Sequence, residues 1–215
     1  MKSILLTTLL GFGLLLNAQS NKEAQDLLNE VKAKTEAYKS QTITFVNEIE
    51  APTGNANQPR SSRKTRGNAR IKGNKYRIDM GGFLMIHDGS KTYMVYPDDE
   101  EINIVNTEDQ QVNLTPAGIL SSYEKGYSYA LAGKETVNGK TIQYVRLKPK
   151  ASADVKEILI GIDMATKQLY SYKQFSHDGV ITTLIVEKYE VNTALADDIF
   201  SIKSKEFQGF EIYEE

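Results

Sequence analysis

The chain has 215 residues, 26 of them basic and 28 acidic, for a formal net charge of −2, and it contains no cysteine. A near-neutral balance argues against a general nucleic-acid binder. The missing cysteine excludes disulfides, thiol nucleophiles, cysteine metal sites and a lipidated cysteine, so a domain of this size must be stabilised by its core alone.

Lys2 gives a short positive start, and Ile4 to Leu16 is an apolar run broken only by Thr7, Thr8, Gly11 and Gly13. Asn17-Ala18-Gln19 then sets a small residue where a signal peptidase cuts. The run is 13 residues long, short of the roughly 20 that a membrane span needs. Residues 1–18 are therefore expected to be a cleaved export signal. Residues 19–215 are expected to form a single soluble, periplasmic domain.

Ser20-Asn21-Lys22-Glu23 has the form of a capping box, and Ala24, Leu27, Leu28, Val31 and Tyr38 recur behind it at helical spacing. The spacing predicts an amphipathic helix over Lys22–Tyr38. From Thr42 the pattern changes to strands: Thr42–Ile49, Ser62–Lys72, Lys75–Met80, Phe83–His87, Thr92–Tyr96 and Ile102–Val105. Ala51–Pro59 reads as a long loop, while Lys72-Gly73-Asn74 and Asp88-Gly89 are turn chemistry. Thr115 is a plausible N-cap with Pro116 at the first helical position, which predicts a short helix carrying Ile119, Leu120 and Tyr123 and ending by Gly126. Strands resume at Tyr127–Leu131, Thr141–Leu147, Glu157–Asp163, Gln168–Phe175 and Val180–Val191, with Asn138-Gly139 and Asp178-Gly179 as hairpin turns. Phe200 and Ile202 suggest a last short strand.

The fold class that satisfies these apolar faces is α+β. A single curved antiparallel sheet forms an incomplete β-barrel, covered on its concave face by the long N-terminal helix and the short central helical segment.

The search for chemistry finds little. His87-Asp88-Gly89 and His177-Asp178-Gly179 share one pattern, but adjacent strand residues face opposite ways, and Asp-Gly is what a turn needs. Asp98–Glu101 lacks an EF-hand pattern, Gly81-Gly82 is a bend between strands, and neither a G-x-S-x-G nor a phosphate loop occurs. No catalytic residue, metal site or cofactor is expected, and the protein is not expected to be an enzyme. Two features remain. Methionines (Met80, Met85, Met94, Met164) and tyrosines crowd the strands, and both types pack irregular ligands. Between Glu50 and Asp79 there is no acidic residue but eight basic ones. Within that stretch Arg60, Arg63, Lys64 and Arg66 are expected to dock an acidic partner or an anionic surface.

Several segments, in order, resemble one family. Lys72-Gly73-Asn74-Lys75-Tyr76-Arg77-Ile78-Asp79-Met80 is similar to its basic-Pro-Gly-x-aromatic-Arg strand entry. Asp88-Gly89 with Tyr93, Tyr96 and Pro97 resembles its "DGK…W.Y.P" hairpin, and Leu114-Thr115-Pro116-Ala117-Gly118-Ile119-Leu120 its central helix. Leu147-Lys148-Pro149-Lys150 and Leu195 to Phe200 resemble its "L-x-P-K" and "L-x-D-x-x-F". The family is the LolA-type outer-membrane lipoprotein carriers, and the resemblance covers nearly all of residues 19–215.

The resemblance implies a hydrophobic cavity between sheet and helices that holds acyl chains of lipoproteins. It further implies loading by an inner-membrane lipoprotein-releasing ABC transporter, delivery to an outer-membrane acceptor that the sequence does not identify, and a monomeric state. The cavity candidates are Leu27, Leu28, Val31 and Tyr38 from the first helix, Ile119, Leu120 and Tyr123 from the second, and Phe45, Tyr76, Met80, Met85 and Tyr93 from strands. The family's arginine latch on the lid helices matches Lys72 here, which keeps the charge and loses the planar fork. A relative that carries or senses another lipid or amphiphile is the alternative reading.

Overall fold

The computed structural model describes residues 11–54, 58–105, 115–121, 123, 126–151 and 154–214, with side chains from residue 21 onward. Residues 1–10 of the expected export signal lie outside the described residues. Residues 11–18 are the helical backbone that opens α1.

Helix α1 spans Gly11–Glu36. The expected start near Lys22 is thus corrected: Ser20-Asn21-Lys22-Glu23 lies inside the helix, because no proline interrupts the run that precedes it. Ala24, Leu27, Leu28 and Val31 form one buried stripe at steps of three and four. The helix closes where Ala37 donates to the Ala33 carbonyl and Tyr38 to that of Thr35, so Tyr38 falls just beyond it.

The strands are β1 (Gln41–Ala51), β2 (Ser61–Lys72), β3 (Lys75–Met80), β4 (Phe83–His87), β5 (Thr92–Tyr96) and β6 (Glu101–Val105). After helix α2 (Pro116–Ser121) come β7 (Tyr127–Val137), β8 (Lys140–Pro149), β9 (Val155–Asp163), β10 (Gln168–Ser176), β11 (Ile181–Val191) and β12 (Glu211–Glu214). They make one open sheet in the order β12-β6-β5-β4-β3-β2-β1-β11-β10-β9-β8-β7. Two meanders, β1–β6 and β7–β11, are therefore joined along the β1–β11 pair. All pairs are antiparallel except β12 beside β6.

The expected last strand at Phe200 and Ile202 is also corrected. Asp197–Phe200 is a 3₁₀ turn, and a second spans Lys205–Phe207. The strand lies further on, at β12. Phe200 and Phe207 are buried and pin an irregular segment, so their apolar character does not mark a pleated strand.

Cross-strand partners share a face, so the register sorts the side chains. One row runs Ile43, Ala69, Ile78, Met85, Met94 across β1 to β5. On the opposite face a row runs Arg77, Ile86, Tyr93, Ile104 across β3 to β6. The first face is the inner one, on which α1 packs near β7–β10; the second is the outer one. Two positions show how the backbone is made to fit. Asn138 and Gly139 both take positive φ, +49° and +77°, as a tight hairpin requires. Gly67 leaves room for a ring: a Cβ there would stand 2.5 Å from Phe45 Cζ and 2.8 Å from the Asp79 carbonyl.

Candidate functional site

The inner face carries two apolar clusters. Under α1 and α2, Leu27, Leu28, Val31, Ile119, Leu120 and Tyr123 pack on Val145, Leu147, Ile158, Ile160, Ile162 and Leu169. Farther along, Phe45 and Met85 join Ile43, Ala69, Ile71, Ile78 and Val186, with Tyr76 and Met80 half-buried beside them. The clusters meet where Leu184 pairs with Tyr172. Each fully buried aliphatic side chain contributes about 1.5–3 kcal/mol, so this face holds most of the folding energy.

Helix α2 is placed by its cap. Thr115 Oγ1 accepts the Gly118 N–H at 3.1 Å, and Pro116 needs no donor at the first position. Tyr123 follows it inward, stacked on Tyr172 at 6.5 Å and edge-on to Tyr127 at 5.0 Å. Burial raises the Tyr172 phenol above its ordinary range. Tyr38, at the far end of α1, stands edge-on to Tyr189 at 6.3 Å, and Tyr189 donates to Gln41 Oε1 at 2.5 Å.

Helix α1 is held over the inner face mainly by apolar contact. Two of its polar ties are exposed: Lys34 Nζ donates to the Thr166 carbonyl at 2.7 Å, and Glu30 pairs with Lys167 at 2.9 Å. Between α1, α2 and β7 lies a cleft of about 200 Å³ lined by Gln25, Leu28, Asn29, Leu120, Tyr123 and Tyr129. That is below the roughly 300–1,000 Å³ of a site that encloses a drug-sized ligand.

The other expected residues fall elsewhere. Tyr93 is not brought to the inner face. It belongs to an outer cluster with Leu84, Ile86, Val95, Ile102 and Phe207, and its hydroxyl donates to Asp88 at 3.0 Å. Burial alone would push the Asp88 carboxyl up, but donors from Lys91, Ser90 and Tyr93 outweigh it and hold it at about 2. Lys72 does not reach the helices. Its Nζ donates to the Leu195 carbonyl at 3.0 Å and lies 3.2 Å from Asp197, whose carboxyl is lowered by that contact. Among the basic residues, Arg60 donates to the Gly179 and Glu50 carbonyls, Lys64 lies 3.3 Å from Glu48, and Arg66 pairs with Glu187. Arg63 is exposed.

The family described as outer membrane lipoprotein carrier protein LolA matches residues 53–203. The chain belongs to the LolA family. The match starts after β1, so α1 and β1 precede it. Among solved structures, an uncharacterized conserved protein from Thermus thermophilus is 10% identical with a TM-score of 0.61, covering 90% of this chain and 99% of that one. A putative outer membrane lipoprotein-sorting protein domain from Vibrio parahaemolyticus is 12% identical, TM-score 0.44, over 84% and 97%. Lipoprotein LppX from Mycobacterium tuberculosis is 12% identical, TM-score 0.45, over 83% and 100%. No curated protein matches the sequence. The LolA resemblance read from the sequence is borne out, as is the open sheet with its two helices. Among the described residues, no helix is long and apolar enough to cross a membrane.

Two groups in this LolA-family chain escaped the sequence reading. The floor beneath α1 is one, although Val145/Leu147 and Ile158/Ile160/Ile162 alternate plainly. Arg77 is the other. Its guanidinium takes both oxygens of Glu206 at 2.7 and 2.6 Å and lies 5.8 Å from the Phe207 ring, clamping the C-terminal segment to the outer face of β3. No local spacing announces a pair 129 residues apart.

Proposed function

We propose that this protein is a periplasmic carrier that shields the acyl chains of lipoproteins on its inner face. In this reading it receives them from an inner-membrane lipoprotein-releasing ABC transporter and yields them at the outer membrane. The observation that carries the reading is the apolar inner face closed by a helix whose hold on it is mostly apolar. Each buried CH₂ of a cargo chain gains about 0.8 kcal/mol, the same kind of energy that holds Leu27, Leu28 and Val31. An acyl chain can therefore replace α1 against the sheet at little net cost, and α1 acts as a lid. Lys72, the latch that the resemblance implies, fixes the C-terminal segment instead, and the ties of Lys34 and Glu30 are too exposed to latch the lid. No chemical step is needed.

The test is native mass spectrometry of the protein isolated from a periplasm, followed by extraction of what it carries. Bound triacylated lipoproteins, lost in Leu28→Glu, are the expected result. A different amphiphile in the same place would keep the site and move the cargo, and protein that stays empty in the presence of lipoprotein and transporter would overturn the reading.

A further inference from the structure

On the outer face the two halves of the sheet differ. Over β3–β6 the segment from Leu195 to Phe210 covers the apolar side chains. Over β8–β11 Ile142 is buried, Tyr144, Leu159 and Tyr170 are half-buried, and Ile185 is 40% exposed. The sequence explains the hollow between them. The row Tyr144, Gly161, Ser171, Ile185 runs across four strands with its two smallest residues in the middle. The result is a groove of about 250 Å³ whose walls are mainly Val137, Tyr144, Leu159, Tyr170 and Ile185, with the charged Glu135 and Lys173 also lining it.

Charge around the groove is layered. In three ion pairs the carboxylate is tucked inward and the cation projects beyond it, while Glu135, which also lines the groove, is exposed. Lys64 is 65% exposed over Glu48 at 23%, Lys148 60% over Glu157 at 22%, and Lys140 51% over Asp163 at 5%. In each of these three pairs the outermost charge is the ammonium. Two ammonium groups also stand over rings: Lys140 is 6.0 Å from Tyr170, and Lys173 is 5.4 Å from Phe175. Tyrosine rings with polar tips, exposed aliphatic groups and long basic stems are the side chains that suit a bilayer interface. A peptide partner would want a free sheet edge, but β8–β11 are paired on both sides and offer none.

We propose that the outer face of β8–β11 docks on an anionic membrane surface, with the lysine heads on lipid phosphates and the groove at the acyl boundary. The proposal concerns a face away from the cargo site and does not depend on what the inner face holds.

The test is flotation of the full chain with phosphatidylcholine vesicles, with and without phosphatidylglycerol. Binding is expected only to the anionic vesicles, falling steeply as salt rises. Combined Lys148→Glu and Lys173→Glu should lower it at least about tenfold, and Ile185→Ser should weaken it further. Leu28→Glu, on the inner face, should leave it unchanged. Salt-insensitive binding, equal binding to neutral vesicles, or loss with Leu28→Glu alone would overturn the proposal, because each assigns binding to lipid uptake. A salt-stable dimer by light scattering that is lost in Ile185→Ser, or capture of an acidic protein without vesicle binding, would overturn it too. The salt titration uses the unaltered protein, so a variant that misfolds does not spoil the test.

Discussion

Helix α1 lies on the inner face near β7–β10, and the segment from Leu195 to Phe210 lies on the outer face of β3–β6. Both cover apolar strands, but the forces differ. Under α1 the contact is Ala24, Leu27, Leu28 and Val31 against aliphatic side chains, which is non-directional and indifferent to what supplies the methylenes. Under the C-terminal segment sits Arg77, only 10% exposed, held by two charge-assisted bonds to Glu206 with a carbonyl of Ile199 at 3.5 Å. Such a pair has one good geometry and a heavy cost for any other. A cover built the first way can be exchanged; one built the second way stays shut.

The comparison breaks or sharpens at defined places. Glu206→Ala should have the largest effect, about 3 kcal/mol, the low end for a broken buried pair because Glu206 itself is half exposed. Urea unfolding measures it, and a loss below about 1 kcal/mol would put the two covers on the same footing. The same pair sets a pH dependence. Arg77 holds the Glu206 carboxyl below its ordinary 4.5. The stabilisation is thus complete above pH 4.5 and is lost as pH falls through the lowered value, so wild type and Glu206→Gln should converge in acid. Leu28→Ala should cost about 2 kcal/mol. In hydrogen exchange it should speed α1 while leaving Phe207 and its neighbours protected. Gly67→Ala, a probe of the sheet between the two covers, should cost about 1–2 kcal/mol, since the new methyl meets the Phe45 ring and a backbone oxygen. Lys34→Ala should change stability by less than about 0.5 kcal/mol. A larger loss would mean that the lid is latched after all.

How far the sequence could be read follows from the same contrast. β3, β4 and β5 have the ends that their alternation and Gly or Asp-Gly turns imply. Which way their side chains point is harder. Leu84, Met85 and Ile86 are all buried because both faces of β4 are covered, and the two-residue period that would have sent Tyr93 outward disappears. Helix α1 kept its stripe legible because only one side is buried. The C-terminal segment has no period at all, so Phe200 and Ile202 passed for a strand. Glu211–Glu214, exposed at all four positions, gave no sign of one. Arg77 and Glu206 find each other only through the tertiary fold.

The seam between β1 and β11 has a consequence for how the molecule assembles. Within each meander, strands pair with their neighbours in sequence and close short loops. The seam instead joins residues as distant as Gln41 and Val191, and Arg77 must wait for Glu206. Long closures of this kind carry the largest entropic delay. Contact order thus favours two half-sheets that form before the seam, and the inner surface is continuous only once β11 (Ile181–Val191) has joined β1. Order of synthesis thus becomes order of competence: the binding face is complete only when β11, the last strand that lines it, has been made.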